Sequence, residues 1–234
     1  MLAIFKREFK SYINTPIGYI YLAAGYFFLG LLFHSVYAAG APQIHLVISS
    51  LANIVIYVLP ILTMRLMSED RKQRVDQILL TAPVKLTSIV LGKFLAAVTV
   101  FAIGLAPTVI FEGILASNVE NLQVMYYIYS LIGIMLLGGA LISIGMFISS
   151  LTESTAISAI LTLDINILVA FIPYFASMIT VKWLSTAVNS LSFLTRFENF
   201  SENIFSIADI IYFLSIIAIF LFLSVRSLEK KRWA

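Results

Sequence analysis

The sequence predicts an all-α, polytopic membrane protein with six transmembrane helices, and three observations support this class. Of its 234 residues, 61% are hydrophobic and 12% are charged, whereas soluble domains carry roughly 25% charged residues. The mean hydropathy is +1.01. The apolar residues lie in runs of about 20 or more, the length that crosses about 30 Å of hydrocarbon. We therefore expect residues 1–234 to form one transmembrane domain.

Six apolar runs are long enough to be transmembrane helices. Polar or charged residues bound each run, which places its ends near a membrane surface. Some runs contain a proline or glycine that can bend a helix, namely Pro60, Gly104, Pro107 and Pro173. The predicted spans are Ile17–Ala39, His45–Met64, Leu86–Leu115, Val124–Ser149, Thr155–Met178 and Ile207–Val225.

The first run has some features of a secretory signal peptide. Lys6, Arg7 and Lys10 precede it, and it ends in Ala39-Gly40-Ala41, a small-residue pattern like a cleavage site. The apolar part of a signal peptide is only about 7–15 residues long, and this run is longer. We therefore expect it to remain in the protein as the first span.

The basic residues predict the orientation of the spans. Of the 15 lysines and arginines, 13 lie in three regions: before the first span, after the last span, and between spans 2 and 3 or at the adjoining ends of these two spans. The two exceptions are Lys182 and Arg196. Lysine and arginine are retained on the cytoplasmic side, so we expect both termini in the cytoplasm. The anionic inner leaflet attracts the same residues. The positive net charge therefore indicates membrane lipids as partners and no nucleic acid.

Candidate catalytic and metal-binding residues are few. The chain has no cysteine, and its two histidines, His34 and His45, lack a neighbouring carboxylate in the sequence, so we assign no metal. The segment Leu91-Gly92-Lys93 lacks the first glycine and the Ser or Thr of a nucleotide-binding loop. We therefore expect the chain to have no enzymatic activity and no cofactor of its own.

Asp164 is the one acid near the centre of a predicted span, with Thr162 and Asn166 close to it in sequence. An ionisable group in lipid costs several kcal/mol unless it is paired or solvated. Two interpretations are open. Asp164 and Asn166 line a polar pathway or a dimer interface, or the Asp164 carboxyl is hydrogen-bonded and stabilises helix packing. An intramembrane enzyme would need a nucleophile with its base, or clustered metal ligands. The near neighbours of Asp164 include neither a second acid nor a histidine, so the sequence does not favour such an enzyme.

A charged segment, Ser68–Pro83, separates spans 2 and 3. Ser68 is a plausible N-cap, and the acids that follow it suit the positive end of a helix. Pro83 ends the helix after about three turns. Asp70 and Arg74 have the i,i+4 spacing of a helical ion pair. An apolar stripe on this helix is formed by Val75, Ile78 and Leu79.

Several motifs resemble the permease subunits of ABC-2 type ATP-binding cassette exporters, and among them the gliding-motility-associated permease group. The resemblance extends over essentially the whole chain. The motifs that carry it are Phe5-Lys-Arg-Glu-Phe9, Pro60-Ile-Leu-Thr-Met-Arg-Leu66, the charged segment running into Leu79-Leu-Thr-Ala-Pro-Val84, Ile89-Val-Leu-Gly-Lys-Phe94 and Val225-Arg-Ser-Leu-Glu-Lys-Lys-Arg-Trp233.

The resemblance implies a role for each segment outside the spans. Residues 1–16 would form an amphipathic helix on the inner membrane surface, and residues 68–83 a coupling helix that docks into the ATPase. Residues 180–206 would form short external helices, and residues 226–234 a cytoplasmic tail. The implied ATPase contacts are Glu69, Asp70, Arg71, Lys72, Gln73, Arg74 and Gln77, with Glu153 as a second cytoplasmic contact.

The same resemblance implies a function. The chain would be the permease subunit of an exporter in a bacterial cytoplasmic membrane. Two copies of a separate ATPase would bind ATP and Mg²⁺, and a second permease copy or a related permease would complete the pathway. A self-sufficient secondary transporter or channel is the alternative, which would place ionisable groups or broken helices at the midplane.

Overall fold

The computed structural model describes residues 1–40, 43–72, 85–116 and 124–232. Helices and short connections make up these residues, with no β-strand among them. The helices in chain order are α1 (Leu2–Asn14), α2 (Pro16–Ala38), α3 (Ile44–Thr63), α4 (Ser68–Lys72), α5 (Leu86–Leu105), α6 (Pro107–Ala116), α7 (Val124–Leu151), α8 (Thr155–Ala170), α9 (Ile172–Met178), α10 (Lys182–Asn189), α11 (Phe193–Ser201) and α12 (Ile207–Arg232).

Five segments of the described chain are long and apolar enough to cross a membrane: α2, α3 with α4, α5 with α6, α7 and α12. A sixth is the pair α8 and α9, which is bent by 42°. The predicted count of six is reached when this pair forms one span. The expected bend beside Pro173 is present between α8 and α9, and the helix is interrupted just before Pro107, where α5 gives way to α6. Proline lacks the backbone N–H that a continuous helix needs.

The centre of the bundle is α7. In its most apolar stretch 72% of the residues are buried, against 17% for α2 and for α12. Around it pack α3, α5, α8, α11 and α12. A helix that is apolar on every side is stable only when it is surrounded, by other helices or by lipid, and α7 is surrounded by the protein itself.

Glycines let the neighbours of α7 approach closely. A Cβ atom at Gly138 would overlap the ring of Phe101 on α5, and one at Gly145 would overlap the side chain of Thr63 on α3. Small residues serve the same purpose at many transmembrane helix contacts. The glycines of α7 therefore fix how near α3 and α5 lie to it.

The first helix, α1, packs along α5 at one end of the bundle, which we call the α1 end. The last turn of α3 and the first turns of α5 lie there too. Tyr12 of α1 is buried, and its hydroxyl donates to the Leu62 carbonyl over 2.8 Å. Burial raises the pKa of the Tyr12 phenol, so the group stays protonated and remains a donor. The predicted position of residues 1–16 at the membrane surface stays a prediction.

The opposite end of the bundle, the α11 end, carries the two short helices of the predicted external segment. Helix α11 buries three phenylalanines, Phe193, Phe197 and Phe200. It packs mainly on α7, where a Cβ atom at Gly133 would meet the Phe200 side chain at 2.7 Å. The phenylalanines of α11 thus pack against the central helices at this end, whereas α10 buries no residue.

Candidate functional site

Four charged side chains meet at the α1 end, and we call them the Lys93 cluster: Arg7, Glu8, Asp70 and Lys93. Lys93 lies in the second turn of α5, and its side chain is only 1% exposed. Its Nζ atom is 2.7 Å from Oδ2 of Asp70 and 3.1 Å from Oε1 of Glu8. One buried ammonium group therefore joins α1, α4 and α5.

Arg7 completes the cluster from the more exposed side. Its Nη2 atom lies 2.6 Å from Oε1 of Glu8 and 3.4 Å from Oδ2 of Asp70. Burial alone would lower the pKa of Arg7, but its hydrogen bonds to the two carboxylates and their negative charges outweigh burial and raise it. The cluster thus contains two cations and two anions.

This balance of charge makes the burial possible. A charge taken out of water loses several kcal/mol of solvation, which is recovered only when the partners and hydrogen bonds are good. Lys93 has two carboxylate partners, and each carboxylate also contacts Arg7. Removal of the lysine would leave both acids in a partly buried site with one guanidinium between them.

The predicted coupling residue Glu69 faces a different partner. Its carboxylate forms a bidentate ion pair with Arg65, in which Nη2 lies 2.5 Å from Oε1 and Nε contacts Oε2. Arg65 is one helical turn earlier in the chain, just after α3. The planar guanidinium matches a carboxylate in this geometry. This pair ties the start of α4 back to the end of α3.

Arg71 brings the two predicted ATPase contacts together. It donates to the Ser150 carbonyl over 3.1 Å and to the Glu153 carboxylate over 3.3 Å. Ser150 lies near the end of α7, and Glu153 lies in the connection to α8. The predicted main contact and the predicted second contact are therefore adjacent in space.

A serine of α7 holds the beginning of α4. The backbone N–H groups of Met67 and Ser68 both donate to Oγ of Ser149 over 3.0 Å. The Ser149 hydroxyl donates in turn to the Met64 carbonyl over 3.1 Å. The Ser68 side chain also donates to the Met64 carbonyl, so the N-cap role expected of Ser68 was wrong, because its hydroxyl bonds the preceding turn instead of the helix that follows.

Other predicted contact residues are either exposed or undescribed. Lys72 is exposed and, with Thr15, Arg65 and Glu69, lines an open cleft beside α1. Gln73, Arg74 and Gln77 lie outside the described residues, as does the rest of the predicted coupling helix up to Pro83. The expected pair between Asp70 and Arg74 therefore stays a prediction, while Asp70 itself contacts Lys93 and Arg7.

Asp164 and Asn166 lie on different faces of α8. Asn166 is fully buried, and its amide donates to the Ile56 carbonyl of α3 over 3.2 Å. Asp164 lies on the exposed face and has no hydrogen bond or ion pair within the described part of the chain. The apolar residues around it on that face include Ile160 and Leu168, both 59% exposed. The structure therefore separates two residues that the sequence had grouped.

Sequence reasoning missed four residues of this site: Arg7, Glu8, Arg65 and Lys93. The sequence did contain a signal for Lys93, which interrupts the otherwise apolar run Leu86–Leu105. A cation in such a run needs a partner near it. The spacing of Arg65 and Glu69 is also that of a helical ion pair. The identity of the partners of Lys93, by contrast, depends on the fold.

Comparison of the sequence with known protein families identifies a family for this chain. The sequence model of the family described as ABC-2 family transporter protein matches residues 4–229. No curated protein matches the chain at a significant level. The matched range covers nearly all of α1 and of the candidate spans, and it contains the whole Lys93 cluster. Members of this family are membrane components of transporters and are not themselves catalytic. The chain therefore belongs to the ABC-2 family of transporter proteins.

Proposed function

We propose that the chain is the transmembrane permease subunit of an ATP-binding cassette exporter in a bacterial cytoplasmic membrane. A separate ATPase, present in two copies, binds ATP and Mg²⁺ and docks on the segment that begins at Ser68. Both termini lie in the cytoplasm. The direction of transport, outward, is taken from the resemblance to exporters. Membership of the ABC-2 family and the Lys93 cluster support this proposal.

The observation that carries the proposal is the attachment of α4 to the bundle. Asp70 contacts Lys93 of α5, Glu69 contacts Arg65, and the backbone of α4 contacts Ser149 of α7. A segment that only connected two spans would have to satisfy its buried backbone groups, but it would not need the ion pair between Asp70 and the buried Lys93. A segment that transmits a displacement would need to be fixed to several spans at once.

The proposed mechanism follows from these attachments. When the ATPase subunits close on ATP, they displace the docked segment, and α4 moves with it. Lys93 passes the displacement to α5 and, through Glu8, to α1. Ser149 passes it to α7, which is the centre of the bundle. Nucleotide thus shifts the equilibrium between two arrangements of the permease. The size of this shift is set by the difference between the affinities of the ATPase for the two arrangements.

The proposal is tested by co-purification of the tagged chain from its native membrane. Lys72→Ala with Arg74→Ala removes two charges from the proposed docking segment and leaves the Lys93 cluster intact. We expect at least fivefold less ATPase per permease than with the wild type. The matched control is Arg226→Ala with Lys230→Ala, which removes two charges from the end of α12. Loss of ATPase from the control as well would contradict a specific contact at residues 72–77.

The same experiment distinguishes the alternative function. If no ATPase accompanies the wild-type chain under conditions that preserve other membrane complexes, the chain is a self-sufficient transporter or channel. Transport by the chain alone, reconstituted into vesicles, would then be the next measurement. Asp164 would be the first residue to substitute.

We further propose that a second permease, identical or related, covers the exposed face of α8. An ionised carboxylate at the centre of a lipid-facing helix costs about 2.5–3.5 kcal/mol on insertion scales. Asp164 has that position, on a face that also presents Ile160 and Leu168. A second subunit would remove Asp164 from lipid and place it at the pathway between the two halves.

Cross-linking tests this interface directly, because the chain has no cysteine. Ile160→Cys should give a cross-linked dimer with a short bis-maleimide in native membranes. Ile211→Cys on α12 is the matched control, since Ile211 is 61% exposed and Ile160 is 59% exposed. Cross-linking at Ile211 but not at Ile160 would place the subunit interface elsewhere.

A further inference from the structure

An open cleft of about 400 Å³ lies at the α11 end of the bundle, on the opposite side of the molecule from the Lys93 cluster. It is bounded by the first turns of α3 and α7 and by α11. No step of the proposed coupling mechanism uses it. The residues that line it are His45, Leu46, Ser49, Tyr126, Glu198, Ser201 and Glu202.

Two carboxylates give the cleft a negative charge. Glu198 lies on α11, and Glu202 is the C-cap residue one turn later. Within the described ranges neither carboxylate has a cationic partner. The nearest base in the sequence, Arg196, is already bound, because it contacts Asp209 at 2.5 Å and donates to the Ser190 carbonyl over 2.7 Å. Burial, and then the charge of Glu202, raise the pKa of Glu198.

Ser201 adds an independent indication of a ligand. The residue is only 6% exposed, and its hydroxyl oxygen has no hydrogen-bond partner among the described residues. A buried hydroxyl without a partner costs about 1–3 kcal/mol, so most such groups are satisfied by protein, water or ligand. A ligand in the cleft that donates hydrogen bonds would satisfy it.

Two aromatic rings also line the cleft. Tyr126 and His45 have ring centroids 5.0 Å apart and both line the cleft. The face of an aromatic ring attracts a cation as well as apolar groups. The cleft therefore combines anionic acceptors, a buried hydroxyl and an aromatic surface, which together suit an organic cation.

We propose that this cleft binds a primary ammonium group, held by Glu198 and Glu202 with Ser201 as a further acceptor. An alkylammonium group has three N–H donors and no acceptor, and these three side chains supply the acceptors. A metal ion fits less well, because in the described part of the chain no three His, Asp or Glu side chains are placed to hold one. This inference is independent of the ATPase.

Two sources can supply this chemistry, the headgroup of an ethanolamine phospholipid and a water-soluble amine. Native mass spectrometry of the full chain, extracted from mixed phosphatidylethanolamine and phosphatidylglycerol membranes, tests the first. Calorimetric titration with putrescine in phosphatidylglycerol nanodiscs tests the second. We expect the wild type to bind in one of these experiments, and the experiment in which it does so identifies the source.

The key variant is Glu198→Gln with Glu202→Gln, which keeps size and removes both charges. We expect at least tenfold weaker binding, because charge-assisted hydrogen bonds are about twice as strong as neutral ones. Ser201→Ala should weaken binding less, by about threefold, and Glu229→Gln at the α1 end should have no effect. If the double variant does not fold, Glu202→Gln alone carries the test, since its side chain is exposed. Absence of binding by the wild type in both experiments, or unchanged binding by a folded variant, overturns the proposal.

Discussion

The two ends of the bundle are both held by ion pairs with a nearly buried member, but they join very different parts of the chain. At the α1 end, Lys93 contacts Glu8 and Asp70, which come from the N-terminal helix and from the segment between two spans. At the α11 end, Arg196 and Asn199 both contact Asp209, only 13 and 10 positions away. The first network is built from distant segments and the second from neighbours in sequence.

In the proposed mechanism the contacts at the α1 end transmit a displacement, whereas those at the α11 end only support neighbouring elements. Arg196 also lies over the Tyr212 ring, 4.1 Å from its centroid, and the Tyr212 hydroxyl donates to the Leu191 carbonyl over 2.7 Å. These bonds fasten the short helices to the start of α12 and go no further. The Lys93 cluster instead connects three separate elements, α1, α4 and α5. Substitutions at the two ends should therefore differ in what they change, as well as in how much.

The largest effect is expected for Lys93→Met, which keeps the length of the side chain but removes its charge. Loss of one member of a buried ion pair costs about 3–5 kcal/mol. The variant should unfold at a markedly lower temperature in detergent and should also retain less of the proposed ATPase. Lys85→Met is the matched control, because Lys85 is exposed at the start of the same helix. Equal behaviour of the two variants would show that the cluster has no special role.

Arg196→Gln should produce a smaller loss of stability, about 2–3 kcal/mol, because hydrogen bonds to a charged group contribute on that scale. Asn199 still donates to Asp209 over 2.8 Å and limits the damage. If this end only supports the short helices, the amount of bound ATPase should stay at the wild-type level. Lys182→Gln, an exposed charge in the same external segment, is the control. A loss of ATPase with Arg196→Gln would contradict the distinction between the ends.

Gly18→Ala tests the joint between α1 and the first span. A Cβ atom there would overlap the backbone carbonyl of Tyr12, and such overpacking costs about 1–3 kcal/mol. We expect α1 to detach, which limited proteolysis would detect as faster cleavage before residue 18. Gly25→Ala on the same helix is the control, because a Cβ atom at Gly25 has no neighbour within 4 Å. Resistance of Gly18→Ala to the protease would mean that α1 shifts without detaching.

The smallest effect is expected for Tyr12→Phe. The change removes one hydrogen bond to the Leu62 carbonyl, worth about 1 kcal/mol, and keeps the ring. The unfolding temperature should fall slightly, with ATPase binding unchanged. Tyr19→Phe provides the comparison, since Tyr19 is 61% exposed. If the unfolding temperature of Tyr12→Phe fell as much as that of Lys93→Met, Tyr12 and not the Lys93 cluster would be the main attachment of α1.

The spans and most of their limits could be predicted from the sequence. Hydropathy alone predicts a span over Leu86–Leu115, and α5 and α6 together form the candidate span there. The break before Pro107 and the bend beside Pro173 also follow from local chemistry, because proline removes a helical hydrogen bond wherever it stands. These features depend on residues that are close in sequence.

The ionic contacts could not be predicted in the same way. Spacing along a helix predicted Arg74 as the partner of Asp70, but the described partners are Lys93 and Arg7, which tertiary packing brings to it. The two faces of α8 are another example. Asp164 and Asn166 are two positions apart, about 200° around a helix, and only the position of α3 decides that Asn166 is the buried one.

The burial of Lys93 has one more consequence, which concerns chemical labelling. Its ammonium group is enclosed, whereas the side chains of Lys6, Lys10, Lys72, Lys85, Lys182 and Lys230 are exposed. An amine-reactive reagent would label the exposed lysines rapidly. It would reach Lys93 only when the ion pairs of Lys93 with Glu8 and Asp70 break. The rate of labelling at this one position would therefore report how often the ion pairs of Lys93 open, in the native protein and without any substitution in the chain.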